Sequence, residues 1–361
     1  TTPKPRFLDA LAQRAVHQRL ARLEHGMITL CHDTRQERYG QRTALCPVSV
    51  TVHVHDARFY SDIAFAGSIG AGEAYMLGYW STNDLTALVR MLLLNRSVLD
   101  GMETGLARVT APLQKALHWL NRNTESGSRR NISAHYDLGN DFFRLFLDPS
   151  MMYSSAIFAH PGMTLEQASM TKLDRICRKL DLKPTDHVLE IGTGWGGFAL
   201  HAARHYGCRV TTTTISREQY ALASERVRAA GLADRVSVLL EDYRNLSGQY
   251  DKLVSIEMIE AVGHAYYDTY FRQCSALLKP DGMMLLQAIT IADHRYEEAR
   301  RSVDFIQRYI FPGSCIPSVA AMTGAIARSS DMRLYNLEDI GPHYARTLRA
   351  WCDNFFSHIE Q

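Results

Sequence analysis

Residues 188–197, VLEIGTGWGG, place Gly192, Gly194, Gly196 and Gly197 directly behind a short apolar run that contains Glu190 and Ile191. Glycines at this spacing let the backbone approach a ligand closely. The order strand, glycine loop, helix puts that loop at the carboxyl end of a parallel strand, where open α/β sheets bind nucleotide-like molecules. A second candidate is Glu260 in SIEMIEAVG (255–263). It stands just past another apolar strand, at the same end of the sheet, where a buried carboxylate is suited to proton transfer or to orienting a base. A helix-capping carboxylate is its plainer reading.

The form of the loop points to the ligand. Glu190 two residues ahead of Gly192 gives ExGxGxG, a pattern characteristic of S-adenosylmethionine methyltransferases rather than nicotinamide enzymes. That ligand carries an ammonium and a sulfonium instead of a pyrophosphate, so the helix N-terminus need not receive an anion. Thr214, Ile215 and Gln219 follow the second strand and are placed to meet ribose and adenine. Glu241 and Asp242 end the third, where an acidic side chain can accept from the adenine amino group; a surface acidic pair is the alternative.

The elements that must position these residues follow from periodicity. From residue 187 onward apolar strands alternate with helices of 10–15 residues: HVLEIG, RVTTTTI, RVSVLLED, DKLVSIEMI and MMLLQAITI are read as strands. The fold class expected is α/β, a Rossmann-like S-adenosylmethionine methyltransferase fold with a smaller, mainly helical N-terminal domain. In the N-terminal part, residues 8–26 read as a helix stopping at Gly26, and CPVSVTVHVHD as a strand. GSIGAGEAYMLGYW reads as a turn feeding a short helix, and 84–118 as mostly helical. The amphipathic stretch Leu92–Trp119 faces either a bilayer or the neighbouring domain. The boundaries expected are 1–120 for the N-terminal domain, 121–134 for a polar linker (NRNTESGSRRN at its core), and 135–361 for the catalytic domain, with a helical insertion around 296–350.

Composition narrows the class. The chain has 361 residues, 46% apolar and 22% charged, with a formal net charge of +2, enough for two cores and not a disordered chain. The N-terminal third is mildly basic, which suits an anionic membrane surface or an ordinary solvated one. Seven scattered cysteines without a CxxC pair fit a reducing cytoplasm. The 15 histidines form no HExxH, so no metal is expected. No run of 18 apolar residues spans a bilayer, TTPKPRF does not read as a signal peptide, and no aromatic–basic interleaving suggests nucleic acid. The expected location is cytoplasmic, peripherally associated with the inner face of the membrane.

Six ordered motifs then resemble the cyclopropane-fatty-acid synthase family, which includes the mycolic-acid cyclopropane synthases. They are GSIGAGEAYMLGYW (67–80), HYDLGNDFFRLFLDPSMMYSSAIF (135–158), VLEIGTGWGG (188–197), TTISREQ (213–219), SIEMIEAVG (255–263) and YIFPGSCIPS (309–318). The resemblance implies an enzyme that takes S-adenosylmethionine and acts on unsaturated phospholipid acyl chains at a membrane surface, making a cis-cyclopropane ring. It implies that Tyr153 and Ser154 contact the methyl donor, and that Gly192 and Gly194 hold its amino-acid moiety. It implies further that Glu260, backbone at Ser155 and Ile289, and the Tyr344 hydroxyl hold a bicarbonate ion that serves as base. A homodimer stays open as an assembly.

That chemistry is coherent. Methyl transfer to an alkene leaves a carbocation, which needs a dry cavity and aromatic faces; Phe142, Phe143, Tyr153, Phe305, Tyr309 and Phe311 are available. A bare carboxylate near the cation risks alkylation, which a hydrogen-bonded bicarbonate avoids. Three positions depart from the family pattern: Ser155 replaces a cysteine, Ala261 a histidine and Gln287 a histidine. Gln287 donates a hydrogen bond but cannot take a proton. These departures keep two alternatives open. One is a same-fold methyltransferase that makes a methyl- or methylene-branched lipid or methylates a small molecule; the other is a non-catalytic lipid-binding protein.

Overall fold

The computed structural model describes residues 7–104, 124, 127, 128 and 139–361. The chain divides into two compact units, Thr1–Leu120 with Arg301–Ile310, and Asn121–Arg300 with Phe311–Gln361. Most of the expected linker at 121–134 and most of Leu92–Trp119 lie outside the described residues. Residues 301–310, expected within the catalytic domain, group with the first unit instead.

The first unit is organised by a sheet, although its helices are longer than its strands. Strands β1 (Gly26–His32), β2 (Arg35–Gln41), β3 (Ser49–Val54) and β4 (Trp80–Thr82) lie in the order β2-β1-β3-β4. The expected strand is β3, whose Val50, Val52 and Val54 alternate into the core. Helix Phe7–Leu20 ends six residues before Gly26, which opens β1 with φ 87°. The glycine-rich GSIGAGEAYM is not a turn. It lies inside the helix Arg58–Met76, which bends at Gly67 (φ 57°, ψ −135°). The other glycines serve packing: a Cβ on Gly70 would lie 2.0 Å from the Asp62 carbonyl oxygen, and one on Gly72 2.5 Å from the Phe305 ring.

In the second unit the described strands β5 (His187–Ile191), β6 (Arg209–Thr214), β7 (Val236–Leu240), β8 (Tyr250–Ile256) and β9 (Leu278–Gln287) form a parallel sheet in the order β7-β6-β5-β8-β9. The central strand β5 is buried on both faces. Val188 packs with Phe198, Val210 and Val254, while Leu189 and Ile191 pack with Leu253, Tyr270 and Phe271. Such two-sided burial explains why β5 reads as a nearly continuous apolar run. Helix Leu165–Lys179 starts from a capping box between Thr164 and Gln167, worth about 1 kcal/mol. The region expected as a helical insertion holds helices Asp293–Ala299, Val319–Ser329 and Gly341–Ser357.

Candidate active site

The glycine loop leaves β5 at Ile191 and turns back over β6. Gly192, Gly194 and Gly196 have φ of 103°, 52° and 83°, conformations that side chains resist. The Gly192 and Thr193 N–H groups both donate to the Thr213 carbonyl, each over 3.0 Å. A Cβ on Gly192 would stand 3.2 Å from Met258, whereas one on Gly194 would meet nothing within 4 Å among the described residues. Gly194 therefore offers the close backbone approach that a nucleotide-like ligand needs. Glu190 lies beneath the loop, buried, and accepts from the Thr212 hydroxyl over 2.6 Å. Thr212 also sits 2.7 Å from the Thr193 hydroxyl, so Glu190 supports the loop from behind. Burial pushes its carboxyl up to about 8.

The neighbouring strand ends arrange the rest of the expected ligand set. The Thr214 hydroxyl donates to Gln219 Oε1 over 2.8 Å and accepts from the Ser216 N–H over 3.1 Å; Ile215 lies half-buried between them. Glu241 is half-buried at the end of β7, its carbonyl taken by the Thr213 hydroxyl at 2.5 Å. Asp242, expected beside adenine, is largely occupied. Arg244 donates to it from its N–H at 3.0 Å, Nε at 2.8 Å and Nη2 at 2.7 Å. Glu241 is the acceptor left at that strand end. The loop cradle, Thr214, Gln219 and Glu241 together fit S-adenosylmethionine.

A second polar set forms where β8 and β9 end. Glu260 falls in a 3₁₀ turn, Ile259–Ala261, directly past β8. Its Oε1 accepts from the Ile289 N–H over 2.5 Å, and its buried Oε2 has no hydrogen-bond partner among the described residues. Burial, and next the charge of Glu257, push Glu260 up to about 8. The other donors expected for bicarbonate converge on a different carboxylate. The Ser155 N–H donates to Glu257 Oε1 over 2.9 Å, Gln287 Nε2 to the same oxygen over 2.8 Å, and the Tyr344 hydroxyl to Glu257 as well. These donors are taken by the Glu257 side chain, so the set as arranged does not fit a bicarbonate ion beside it.

Aromatic rings wall this set. The Tyr153 ring lies 5.4 Å from Phe143, 5.2 Å from Trp351 and 6.3 Å from Phe311, centroid to centroid. Phe142, Phe146, Trp195 and Tyr344 pack into the same cluster. Phe305 and Tyr309, expected here, belong to the first unit, where Tyr309 bonds Glu73. Helix Gly341–Ser357 is pinned to the segment after Tyr153, because the Thr347 hydroxyl accepts from the Ala156 N–H over 3.1 Å and His343 Nδ1 from Phe158 over 3.3 Å. That anchoring positions Tyr344 over Glu257.

Two site residues escape the sequence reading. Glu257 stands three residues before Glu260, and paired carboxylates at a strand's carboxyl end were the available signal. Lys172 is fully buried, and its Nζ donates to the Ser154 hydroxyl over 2.7 Å. Burial lowers its amine to about 8, against the raising effect of Glu257, Asp148 and Glu190. Its signal was a lysine within the stripe Ala168, Leu173, Ile176 that the helix turns inward.

The chain matches the family described as mycolic acid cyclopropane synthetase over residues 123–361. It is 39% identical to the tuberculostearic acid methyltransferase UfaA1 of Mycobacterium tuberculosis, over 85% of this chain and 73% of that one. It is 38% identical to the cyclopropane-fatty-acyl-phospholipid synthase of Escherichia coli, over 85% of this chain and 76% of that one. Among solved structures, the mycolic acid cyclopropane synthase CmaA1 complexed with SAH and CTAB superposes with a TM-score of 0.59 at 33% identity, covering 63% of this chain and 83% of that one.

Proposed function

The chain belongs to the mycolic acid cyclopropane synthetase family of S-adenosylmethionine-dependent methyltransferases, and we propose that it is a cyclopropane-fatty-acyl-phospholipid synthase. It would add one methylene carbon across a cis double bond of a phospholipid acyl chain. The observation that carries this reading is the junction at Tyr344, which belongs to the aromatic cluster and bonds the half-buried carboxylate of Glu257. An apolar, cation-tolerant wall and a proton acceptor thus share one residue.

When bound, S-adenosylmethionine supplies an electrophilic methyl group. The Gly192–Gly196 loop, Thr214, Gln219 and Glu241 would hold it, with Tyr153 and Ser154 toward the acceptor. The Tyr153, Phe143 and Trp351 rings stabilise positive charge on the alkylated chain and exclude water that would quench it. On the first unit, Leu85, Val89 and Leu93 share one helix face and are 40%, 48% and 50% exposed, which supports a lipid-facing surface where phospholipid is met. Among the described residues no helix is long and apolar enough to cross a membrane.

Incubation of the purified protein with S-adenosylmethionine and vesicles of unsaturated phospholipid tests the proposal. The expected product is an acyl chain heavier by one CH₂ and resistant to ozone. The similarity to UfaA1 favours a second reading, a methyl- or methylene-branched lipid. A methylene branch has the ring's mass but remains cleavable by ozone, so the same assay separates the two.

A further inference from the structure

We propose that Glu257 supplies the base for this reaction from within the chain, in place of the small anion that the family resemblance assigns to Ser155 and Tyr344 among its donors. The inference rests on the methyl-transfer reading above and adds the identity of the proton acceptor.

Three donors meet at one carboxylate: the Ser155 N–H, Gln287 Nε2 and the Tyr344 hydroxyl. They come from the segment after Tyr153, the end of β9 and the helix Gly341–Ser357, so separate parts of the second unit agree on where the anion sits. The Glu257 backbone is held too, its N–H donating to the Gln287 carbonyl over 2.8 Å. Its φ is 48°, a left-handed conformation costing a non-glycine residue about 1–2 kcal/mol. Strain of this kind persists where the surroundings over-determine it, commonly at functional sites. The strain aims the side chain at the three donors.

Glu257 and Glu260 repel each other, and desolvation raises both carboxyls, so the pair favours carrying a single negative charge. Glu257, with three donors and Lys172 nearby, is the better place for the charge. Glu260, whose carboxylate takes only backbone donors among the described residues, the Ile289 N–H and its own, keeps the proton.

The step balances. Methyl transfer leaves a carbocation beside the carbon that bears the new methyl. One C–H bond of that methyl breaks, its electron pair forms the bond that closes the ring, and the proton passes to the Glu257 carboxylate. Alkylation of the carboxylate is opposed because three hydrogen bonds fix its position and draw electron density from its oxygens.

The test compares wild type with Glu257→Gly, a substitution the positive φ accommodates, in carbonate-free buffer and with millimolar bicarbonate. Turnover on unsaturated phospholipid vesicles is measured beside binding of ¹³C-bicarbonate by NMR. Wild type is expected to turn over equally in both buffers and to bind no bicarbonate. The variant should lose about 10²-fold or more without bicarbonate, recover at least about tenfold with it, and bind the labelled ion. Wild-type turnover that requires bicarbonate, or bicarbonate binding by wild type, would overturn the inference, as would a variant that keeps full turnover in carbonate-free buffer. Absence of lipid product from wild type in both buffers defeats the methyl-transfer reading instead, and the NMR arm still decides whether Glu257 occupies the anion site.

Discussion

The Ser155 N–H donates to Glu257 Oε1 over 2.9 Å, joining two residues 102 positions apart and placing a carboxylate where the family resemblance expects a bound anion. The charge distribution at this end of the sheet follows from that bond, and it predicts different fates for the two carboxylates. Glu257→Gln keeps the shape but removes the basic oxygen, so turnover should fall about 10²-fold or more with methyl-donor affinity unchanged. Glu260→Gln replaces a neutral acid with a neutral amide and should cost less than about tenfold. Turnover measured beside calorimetric binding decides; the reverse ranking would put the charge on Glu260.

Gly194 separates binding from folding. A Cβ there meets nothing within 4 Å among the described residues, yet φ is 52°. Gly194→Ala should therefore cost only about 1–2 kcal/mol of stability while weakening S-adenosylmethionine binding by about tenfold or more. Unchanged affinity would show that the ligand does not approach this glycine.

Stability should respond to pH through the buried acids. Glu190 and Glu260 are pushed up to about 8, so between about pH 4.5 and 8 the folded protein holds protons that the unfolded chain has released. Their contribution is complete at low pH and is lost as pH rises through 8. His201, held down to about 4 by burial, acts oppositely below pH 6.5, and Lys172, lowered to about 8, acts oppositely above 8. In the window from pH 6.5 to 8 the urea midpoint should therefore fall, and the fall should be smaller in Glu190→Gln. An equal slope in that variant contradicts the assignment.

Asp242 is expected to matter for folding more than for the ligand. It is buried and takes three hydrogen bonds from Arg244. Asp242→Ala should lower the unfolding free energy by about 3 kcal/mol, because it strands a partly buried guanidinium. Glu241→Ala should change stability by less than about 0.5 kcal/mol and weaken methyl-donor binding. Denaturant titration and calorimetry on both variants check the contrast.

The parallel sheet and its glycine loop were legible because apolar runs of strand length alternated with helices, and because ExGxGxG follows the first of those strands. The sheet of the first unit was harder to read. Most residues of β2, RQERYGQ, are exposed, so no alternation marks it, and the glycines of the helix Arg58–Met76 imitate a turn while serving close packing. Glu260 could be picked out by its place after a strand. Glu257 offered only its pairing with Glu260 as a signal, since its role depends on a left-handed turn and on three donors distant in sequence. Lys172 hid for a related reason: a lysine on an amphipathic helix is normally assigned to solvent, and only the buried Ser154 hydroxyl and the surrounding carboxylates explain its place. Phe305 and Tyr309 show the converse, since their residue types suit an aromatic wall but their chain segment packs elsewhere.

The most direct measurement uses S-adenosylmethionine carrying a fully deuterated methyl group, phospholipid vesicles with cis-unsaturated chains, and mass analysis of the acyl chains before and after ozone treatment. The account predicts an ozone-resistant chain that has gained one carbon and retained two of the three deuterons, the third having been removed by the base. Chains that stay unmodified while the protein binds the methyl donor, or label found on the head group with all three deuterons retained, would contradict it.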